Sequence, residues 1–268
     1  MIKHIFSDMD GTLLNDKGDL SATNQALIQD ANIPITLVSA RSPRQMAAAI
    51  DALQLTAPQV GFNGGLIYRM VDGQPEVIED RPIADDVVRK ILTLVTAQFP
   101  QVGISLYDLN NWYVTQVDDG VEHLGKIMPH APIVRPTAEL IADTPTIYKI
   151  TFTILDYRVM QGVMTLLNEA DLPGAAVQAS SHVFLDITNE TAKKSRGVLF
   201  IAKHEQLDLK DTAAFGDGPN DLPMLKLVGM PIVMGNGLDE VKAGAERITD
   251  DNEHDGVGNG IHRFILDN

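Results

Sequence analysis

The sequence predicts an α/β fold: a doubly wound parallel sheet that is interrupted by an inserted α+β domain. Near both ends of the 268-residue chain, short apolar runs alternate with helical segments, which is typical of parallel sheets. In the middle of the chain, strand-like runs are instead paired through turn residues. We therefore predict one core domain from residues 1–82 and 188–268, and an inserted domain from residues 83–187.

The N-terminal part begins with a buried strand at residues 2–7, an apolar run that ends at acidic residues. Ser21 is a suitable N-cap for the first helix, and Asn32 is a suitable residue to end it. The apolar run at residues 35–38 predicts the next strand, and Pro43 fits the first turn of the following helix. These segments indicate consecutive strand–helix units.

The middle part has a different pattern. A helix is predicted at residues 85–99, followed by strands at residues 102–107 and 112–117. The turn residues Asp108-Leu109-Asn110-Asn111 separate these strands and predict a hairpin. A second hairpin is predicted around Ser180-Ser181. This α+β pattern has a reasonable length for a domain inserted into an α/β chain.

The strand–helix alternation returns after Lys193, with a helix predicted at residues 195–205 and a strand at residues 212–215. Another buried strand is predicted at residues 231–234, and a short helix closes the sequence. The acidic run at residues 250–255 is interpreted as a solvated loop without a role.

Composition limits the classes of function. The net charge of −15 argues against nucleic-acid binding, although a metal ion and a few local cations can still bind a small phosphorylated substrate. The chain has no Cys, which excludes disulfides and thiolate metal sites. No apolar run approaches the ~20 residues of a membrane helix, and no signal-peptide pattern is present. We therefore expect a cytoplasmic protein without a membrane partner.

Polar clusters follow three of the predicted core strands. The clusters are Asp8 with Asp10, Ser39 with Arg41, and Asp217 with Asn220 and Asp221. In open α/β sheets, ligands bind at the carboxyl ends of the strands. We therefore expect these clusters to meet at one edge of the sheet.

The carboxylates among these residues favour metal-assisted phosphoryl transfer. Asp8, Asp10 and Asp217 offer the oxygen ligands that Mg²⁺ prefers. A carboxylate can also attack phosphorus, provided that a metal and a nearby cation offset its repulsion of the phosphate. The alternative interpretations are an acidic turn at Asp8 and Asp10, and simple helix capping by Asp217 and Asp221.

The order of the motifs resembles that of the haloacid dehalogenase superfamily. The matching segments are Asp8-Met9-Asp10-Gly11-Thr12-Leu13-Leu14, Ser39-Ala40-Arg41, Asn63-Gly64-Gly65, Lys194 and Gly216-Asp217-Gly218-Pro219-Asn220-Asp221. The Asn-Gly-Gly turn, together with Met234-Gly235-Asn236 and Asp255-Gly256-Val257, is similar to the Cof-type sugar-phosphatase branch. This resemblance implies a Rossmann-like core, with an α+β cap inserted between the second and third motifs.

The resemblance also implies catalytic and metal-binding roles. Asp8 is expected to be the nucleophile, and Asp10 is expected to protonate the leaving oxygen and then to activate water. Mg²⁺ is expected between the Asp8 carboxylate, the backbone carbonyl of Asp10 and Asp217, with support from Asp221.

Five further residues are expected to contact the phosphate or the substrate. Ser39 and Lys194 would hold the phosphate oxygens, while Arg41, Asn63 and Asn220 would contact the phosphate or the rest of the substrate. For Arg41, two alternatives stay open: a solvated surface charge, or a structural partner for a core carboxylate.

Two motifs depart from the pattern of this branch. Ser39-Ala40-Arg41 stands where Thr-Gly-Arg is usual, which keeps the hydroxyl but stiffens the turn. Lys193-Lys194-Ser195 stands where Lys-Gly is usual, so Lys193 is an alternative to the favoured Lys194.

The function implied is that of a Mg²⁺-dependent phosphatase that hydrolyses small phosphorylated metabolites, preferably sugar phosphates, through an aspartyl-phosphate intermediate. A phosphomutase of the same superfamily is one alternative. A receiver-like signalling module is another, but the inserted domain and the Gly-Asp-Gly-Pro-Asn-Asp cluster argue against it. No protein partner is evident.

Overall fold

The computed structural model describes residues 1–126, 128 and 130–267, in which strands and helices alternate. The strands are β1 (His4–Ser7), β2 (Ile35–Leu37), β3 (Gln59–Gly61), β4 (Leu66–Val71), β5 (Gln74–Asp80), β6 (Ile104–Tyr107), β7 (Trp112–Val114), β8 (Ile133–Val134), β9 (Lys149–Thr153), β10 (Ala175–Ala179), β11 (Phe184–Asn189), β12 (Thr212–Gly216) and β13 (Met230–Val233). The helices are α1 (Ala22–Ala31), α2 (Pro43–Leu53), α3 (Asp85–Gln98), α4 (Asp119–Gly125), α5 (Thr137–Ala142), α6 (Tyr157–Glu169), α7 (Lys194–His204), α8 (Leu222–Leu225), α9 (Asp239–Lys242) and α10 (Gly256–Ile261). No helix in the described part of the chain is both long and apolar enough to span a membrane.

The chain divides into two compact units. The first contains residues 1–41, 46–79 and the chain from Lys193 onward, and the second contains residues 42–45 and 80–192. The predicted inserted domain, residues 83–187, lies within the longer segment of the second unit. Its positions 127 and 129, and position 268 of the core, lie outside the described residues. The domain boundaries stay a prediction.

The first unit is built on a parallel sheet with the strand order β13-β12-β1-β2. Phe6 in β1 lies opposite Ala214 in β12 and Thr36 in β2. Every residue of β1 is buried, as expected for a central strand covered on both faces. The predicted α/β fold with a parallel sheet is confirmed.

Helix α1 begins and ends at the predicted residues. The Ser21 hydroxyl accepts the backbone N–H of Asn24 at 2.9 Å, which satisfies one free donor of the first turn. Asn32 adopts a left-handed conformation with φ of 50°, a backbone geometry that Asn tolerates at helix ends.

The acidic run at residues 250–255 is not simply a solvated loop, and this part of the prediction is wrong. Asn252 is buried, and its side chain donates to the Leu14 carbonyl at 3.1 Å and to Asp16 at 3.0 Å. Helix α10 starts directly after this run, at Gly256. The polar side chains therefore join the C-terminal segment to the N-terminal loop.

The second unit contains a mostly antiparallel sheet with the strand order β10-β11-β9-β6-β7-β8. Both predicted hairpins are present, as the pairs β6–β7 and β10–β11. One face of the sheet packs against α3 and α6 through a core of buried aliphatic residues with Phe152 among them. The Pro-rich segment between the hairpins contains α4, β8 and α5, which periodicity did not predict because they are short.

Candidate active site

Three parallel strands of the first unit end side by side at the candidate site. Asp8, Ser39 and Asp217 follow β1, β2 and β12, respectively. The Asp8 N–H donates to the Phe215 carbonyl at 3.0 Å, so the strand ends stay in register just beyond the sheet. This edge is the one where parallel α/β sheets bind ligands.

Lys194 is the buried cation of the site. Its Nζ lies 2.5 Å from Asp8 Oδ1 and 2.6 Å from Asp221 Oδ1, and its side chain is 1% exposed. Helix α7 begins at Lys194, whereas the preceding Lys193 is exposed. The structure therefore directs Lys194, rather than Lys193, towards the carboxylates.

The Asn63-Gly64-Gly65 turn lies against the start of α7. Gly64 has a φ of +94°, and a Cβ on it would lie 2.2 Å from the Lys193 carbonyl oxygen. Only glycine allows both this backbone conformation and this close approach. The turn thereby fixes the position at which the buried lysine enters the site.

Asp221 organises the loop that follows β12. Its Oδ2 accepts the N–H groups of Asp217 and Gly218, both at 3.0 Å, while its Oδ1 contacts Lys194. Both oxygens therefore have partners within the protein. Asp221 orders the loop and fixes Lys194, and it has less capacity left for a further ligand.

Asp217 is oriented by the turn after β1. Its Oδ1 accepts the Thr12 hydroxyl at 2.8 Å. Gly11 has a φ of +74°, and a Cβ there would lie 2.6 Å from Asp217 Oδ2. The backbone of the turn can approach the carboxylate this closely because residue 11 has no side chain.

Negative charge exceeds positive charge in the buried part of the site. Burial and the neighbouring Asp221 carboxylate raise the pKa of Asp8 well above its usual value, and Lys194 only partly opposes this. Burial, with a contribution from Asp221, also raises the pKa of Asp217. For Lys194, burial alone would lower the pKa, but the Asp8 and Asp221 carboxylates outweigh it and raise the pKa. The positive charge of Lys194 therefore offsets only part of the negative charge of Asp8, Asp217 and Asp221.

This donor set fits a hard divalent cation. One carboxylate oxygen from each of Asp8, Asp217 and Asp221 can be chosen so that all three lie within 4.8 Å of one another. Carboxylate oxygens suit Mg²⁺, and a cation would offset the uncompensated charge. Asp8 and Asp217 are the better direct ligands, because both Asp221 oxygens already accept hydrogen bonds.

Asp10 is separate from this cluster and pairs with Arg41. The Nε of Arg41 lies 3.1 and 3.0 Å from the two Asp10 oxygens, and its Nη2 lies 2.6 Å from Oδ1. The side chain of Asp10 is 57% exposed and that of Arg41 is 23% exposed. Arg41 therefore pairs with an exposed carboxylate rather than with a core carboxylate, and its role stays a prediction.

The loops at this edge of the sheet also hold three residues that were predicted to contact the phosphate or the substrate, Ser39, Asn63 and Asn220. Ser39 is buried; its hydroxyl accepts the N–H of Arg41 at 3.2 Å, and its carbonyl accepts the N–H of Asn63 at 2.8 Å. The backbone of Asn63 adopts a left-handed conformation, with a φ of 56°. The exposed Asn220 lies 3.5 Å from Asn63, at the limit of a hydrogen bond.

A family model matches most of the amino-acid sequence of this chain. The model, described as a haloacid dehalogenase-like hydrolase, matches residues 5–261. The chain belongs to this family. The resemblance to the haloacid dehalogenase superfamily, in its Cof-type branch, is confirmed.

Individual relatives of this hydrolase match over nearly their full length. A Haemophilus influenzae protein, named provisionally as a phosphatase, is 29% identical over 260 residues, 96% of each chain. The Bacillus subtilis 5-amino-6-(5-phospho-D-ribitylamino)uracil phosphatase YitU is 26% identical over 282 residues, also 96% of each chain. The crystal structure of a haloacid dehalogenase-like hydrolase from Bacteroides thetaiotaomicron is 25% identical, with a TM-score of 0.89, and covers 99% of this chain and 100% of that chain. Family and relatives together confirm the prediction of a phosphatase of the haloacid dehalogenase type.

Sequence reasoning assigned no role to two residues that orient the site of this hydrolase. One is Thr12, which the motif contained without a stated function. The other is Asn236, whose Nδ2 donates to the Gly11 carbonyl at 2.7 Å while its Oδ1 accepts the Asn252 N–H at 3.1 Å. The Gly-Asn-Gly turn, one residue after the end of β13, was a usable signal, since that strand ends at the same edge of the sheet.

Proposed function

We propose that this hydrolase is a Mg²⁺-dependent phosphatase of small phosphorylated metabolites, with sugar phosphates favoured, and that it works through an aspartyl-phosphate on Asp8. The observation that carries the proposal is the contact between Asp8 and Lys194, at 2.5 Å, beside Asp217 at the carboxyl edge of the sheet. A buried cation beside a carboxylate offsets the repulsion that an incoming phosphate would meet.

In the first step, a carboxylate oxygen of Asp8 attacks the phosphorus. The new O–P bond forms while the bond from phosphorus to the leaving oxygen breaks, and Asp10 gives its proton to that oxygen. The alcohol departs, and Asp8 carries the phosphoryl group. Lys194 lies between Asp8 and Asp221, where its charge can stabilise the phosphoryl oxygens.

In the second step, water hydrolyses the phosphorylated Asp8. Asp10, now a carboxylate, takes a proton from the water as its oxygen attacks phosphorus. The bond between phosphorus and the Asp8 oxygen breaks, inorganic phosphate leaves, and the Asp8 carboxylate is restored. Asp10 is protonated again and Asp8 is again a free carboxylate, so the site returns to its starting state.

The phosphate oxygens are expected to bind the Ser39 hydroxyl, Lys194 and the backbone N–H groups of residues 9–11. Asn63 and Asn220 lie nearby and are proposed as contacts to the phosphate or to the rest of the substrate. The side chain of Ser39 is buried directly after β2, which supports a role in a fixed binding site.

Mg²⁺ would be held by the carboxylates of Asp8 and Asp217 and by the backbone carbonyl of Asp10, with Asp221 ordering the loop around it. When bound, such a cation supplies positive charge against the phosphate and the excess of carboxylates. The raised pKa values of Asp8 and Asp217 support this requirement for a cation.

The preference for sugar phosphates rests on the relatives. The name of one Bacillus subtilis relative states a phosphorylated ribityl group as part of its substrate. A polyol phosphate is therefore a reasonable first class to test.

The expected cytoplasmic location stays a prediction.

The test is release of phosphate from p-nitrophenyl phosphate and from a panel of phosphorylated sugars, sugar alcohols and nucleotides, with Mg²⁺ or with EDTA. We expect turnover only with Mg²⁺, and its loss in Asp8→Asn but not in the exposed control Asp19→Asn. Release of alcohol and phosphate in equal amounts would exclude a phosphomutase. Turnover that persists in Asp8→Asn would contradict the proposal.

A further inference from the structure

We propose that Arg41 is a positioning residue that fixes the orientation of the Asp10 carboxyl group, which gives its proton to the leaving group and then takes one from water. This inference rests on the proposed function, in which Asp10 is the acid and the base. It differs from the expectation that Arg41 contacts the phosphate or the rest of the substrate.

The contact has the geometry of a guanidinium fork on a carboxylate. Arg41 Nε lies 3.1 and 3.0 Å from Oδ1 and Oδ2 of Asp10, and Nη2 lies 2.6 Å from Oδ1. A planar fork that contacts both oxygens fixes the orientation of a carboxylate, which a point charge does not. In the described part of the chain, only Arg41 donates hydrogen bonds to these oxygens.

Asp10 needs such a restraint because its side chain is 57% exposed. An exposed carboxylate without a fixed partner samples several rotamers, and ordering it costs free energy at the moment of reaction. Asp8, by contrast, is already held by burial and by Lys194. Of the two catalytic carboxylates, Asp10 is therefore the one whose orientation depends on a single side chain.

The backbone of Arg41 is itself held in place. Its N–H donates to the Ser39 hydroxyl at 3.2 Å, and its carbonyl accepts the N–H of Phe62 at 3.0 Å. Gly61 keeps the chain close on this side, since a Cβ on it would lie 3.1 Å from the Arg41 carbonyl. Arg41 thus connects the fixed end of β2 to the exposed carboxyl group of Asp10.

The two roles for Arg41 make different kinetic predictions. Phenolate is a poorer leaving group than p-nitrophenolate, so phenyl phosphate depends on protonation by Asp10 and p-nitrophenyl phosphate does not. The ratio kcat/KM reports on phosphoryl transfer to Asp8, before water enters. Loss of Asp10 orientation lowers kcat/KM for phenyl phosphate alone, whereas loss of a phosphate contact lowers it for both esters.

The experiment measures kcat/KM for both esters in the Mg²⁺-loaded wild type, Arg41→Gln and Arg41→Lys. We expect a fall of about tenfold for phenyl phosphate and of less than about twofold for p-nitrophenyl phosphate in both variants. Arg41→Lys keeps the positive charge but lacks the planar guanidinium group. Because it is a conservative substitution, it separates the loss of this group from a folding defect. Arg69→Gln, which removes an exposed arginine paired with Glu76, is the matched control and should change neither ratio.

A double variant completes the test. In the Asp10→Asn background, Arg41→Gln should cause no further fall for phenyl phosphate, because the residue that it positions no longer transfers a proton. Equal falls for both esters, or an additional fall in the double variant, would overturn the positioning role. Hydrolysis that survives Asp8→Asn would instead contradict the proposed function itself, so the two failures are distinguishable.

Discussion

Lys194 Nζ lies between two buried carboxylates, 2.5 Å from Asp8 and 2.6 Å from Asp221. The lysine therefore joins the end of β1 to the loop after β12. It stabilises the fold of the site and supplies its buried positive charge. Its removal should affect both properties.

The first prediction concerns Lys194→Met. The substitution leaves Asp8 and Asp221 buried without a cation, which should lower the free energy of unfolding by roughly 3 kcal/mol and reduce turnover at least about 100-fold. Urea unfolding and phosphate release measure the two effects. Lys193→Met changes the exposed neighbouring position. It should leave turnover within about twofold, and the free energy of unfolding within about 0.5 kcal/mol, of the wild-type values. Similar losses in the two variants would contradict the assignment of Lys194.

The second prediction concerns Thr12, which orients Asp217 through a 2.8 Å hydrogen bond. Thr12→Val removes the hydroxyl while keeping the shape of the side chain. We expect the Mg²⁺ concentration for half-maximal turnover to rise about tenfold, since residues that orient metal ligands typically contribute this much. Thr12→Ser should restore the wild-type value. An unchanged Mg²⁺ requirement in Thr12→Val would rule out this role.

The third prediction compares two glycines with positive φ. Gly64→Ala introduces a Cβ 2.2 Å from a backbone oxygen, whereas Gly73→Ala introduces one with no atom of the described residues within 4 Å. Backbone strain alone costs roughly 1–2 kcal/mol, so Gly73→Ala should destabilise by that amount. Gly64→Ala should cost at least about 3 kcal/mol, because the turn must also move away from α7. Equal midpoints in urea unfolding would contradict the close approach.

The fourth prediction concerns pH and His4. Burial lowers the pKa of His4 to about 4 in the folded protein. As the pH decreases through 6.5, His4 takes up a proton in the unfolded chain but not in the folded protein. The contribution of His4 to the free energy of unfolding is therefore fully present above pH 6.5 and is lost as the pH decreases from 6.5 towards 4.

This contribution amounts to about 3 kcal/mol across that window. It is measured as the difference in pH dependence of urea unfolding between wild type and His4→Gln, which cancels the titration of the carboxylates. Parallel curves for the two proteins would show that His4 titrates normally in the fold.

The sequence allowed the placement of the strand ends to be predicted, because apolar runs followed by polar clusters indicate parallel strands that end at a ligand-binding edge. Ser21 and Asn32 were likewise predictable, since capping depends on local chemistry alone. Both features are encoded within a few neighbouring residues. Sequence reasoning succeeds where the determinant is local.

The orientation of the site residues was not predictable in the same way. Arg41 meets Asp10, and Asn236 meets Gly11, across long separations in the chain. Periodicity does not specify which side chain at the shared edge meets which. The role of Asn252 was missed for the same reason, since its partners lie in the N-terminal loop.

In the proposed mechanism, Asp8 becomes phosphorylated during turnover. The most direct measurement is acid quenching of a single turnover of p-nitrophenyl phosphate with excess Mg²⁺-loaded protein, followed by mass spectrometry of the peptides. We expect one phosphoryl group on the peptide that contains Asp8, and none in Asp8→Asn, which should be inactive. Turnover without phosphorylation of Asp8, or a phosphoryl group on another residue, would rule out Asp8 as the nucleophile.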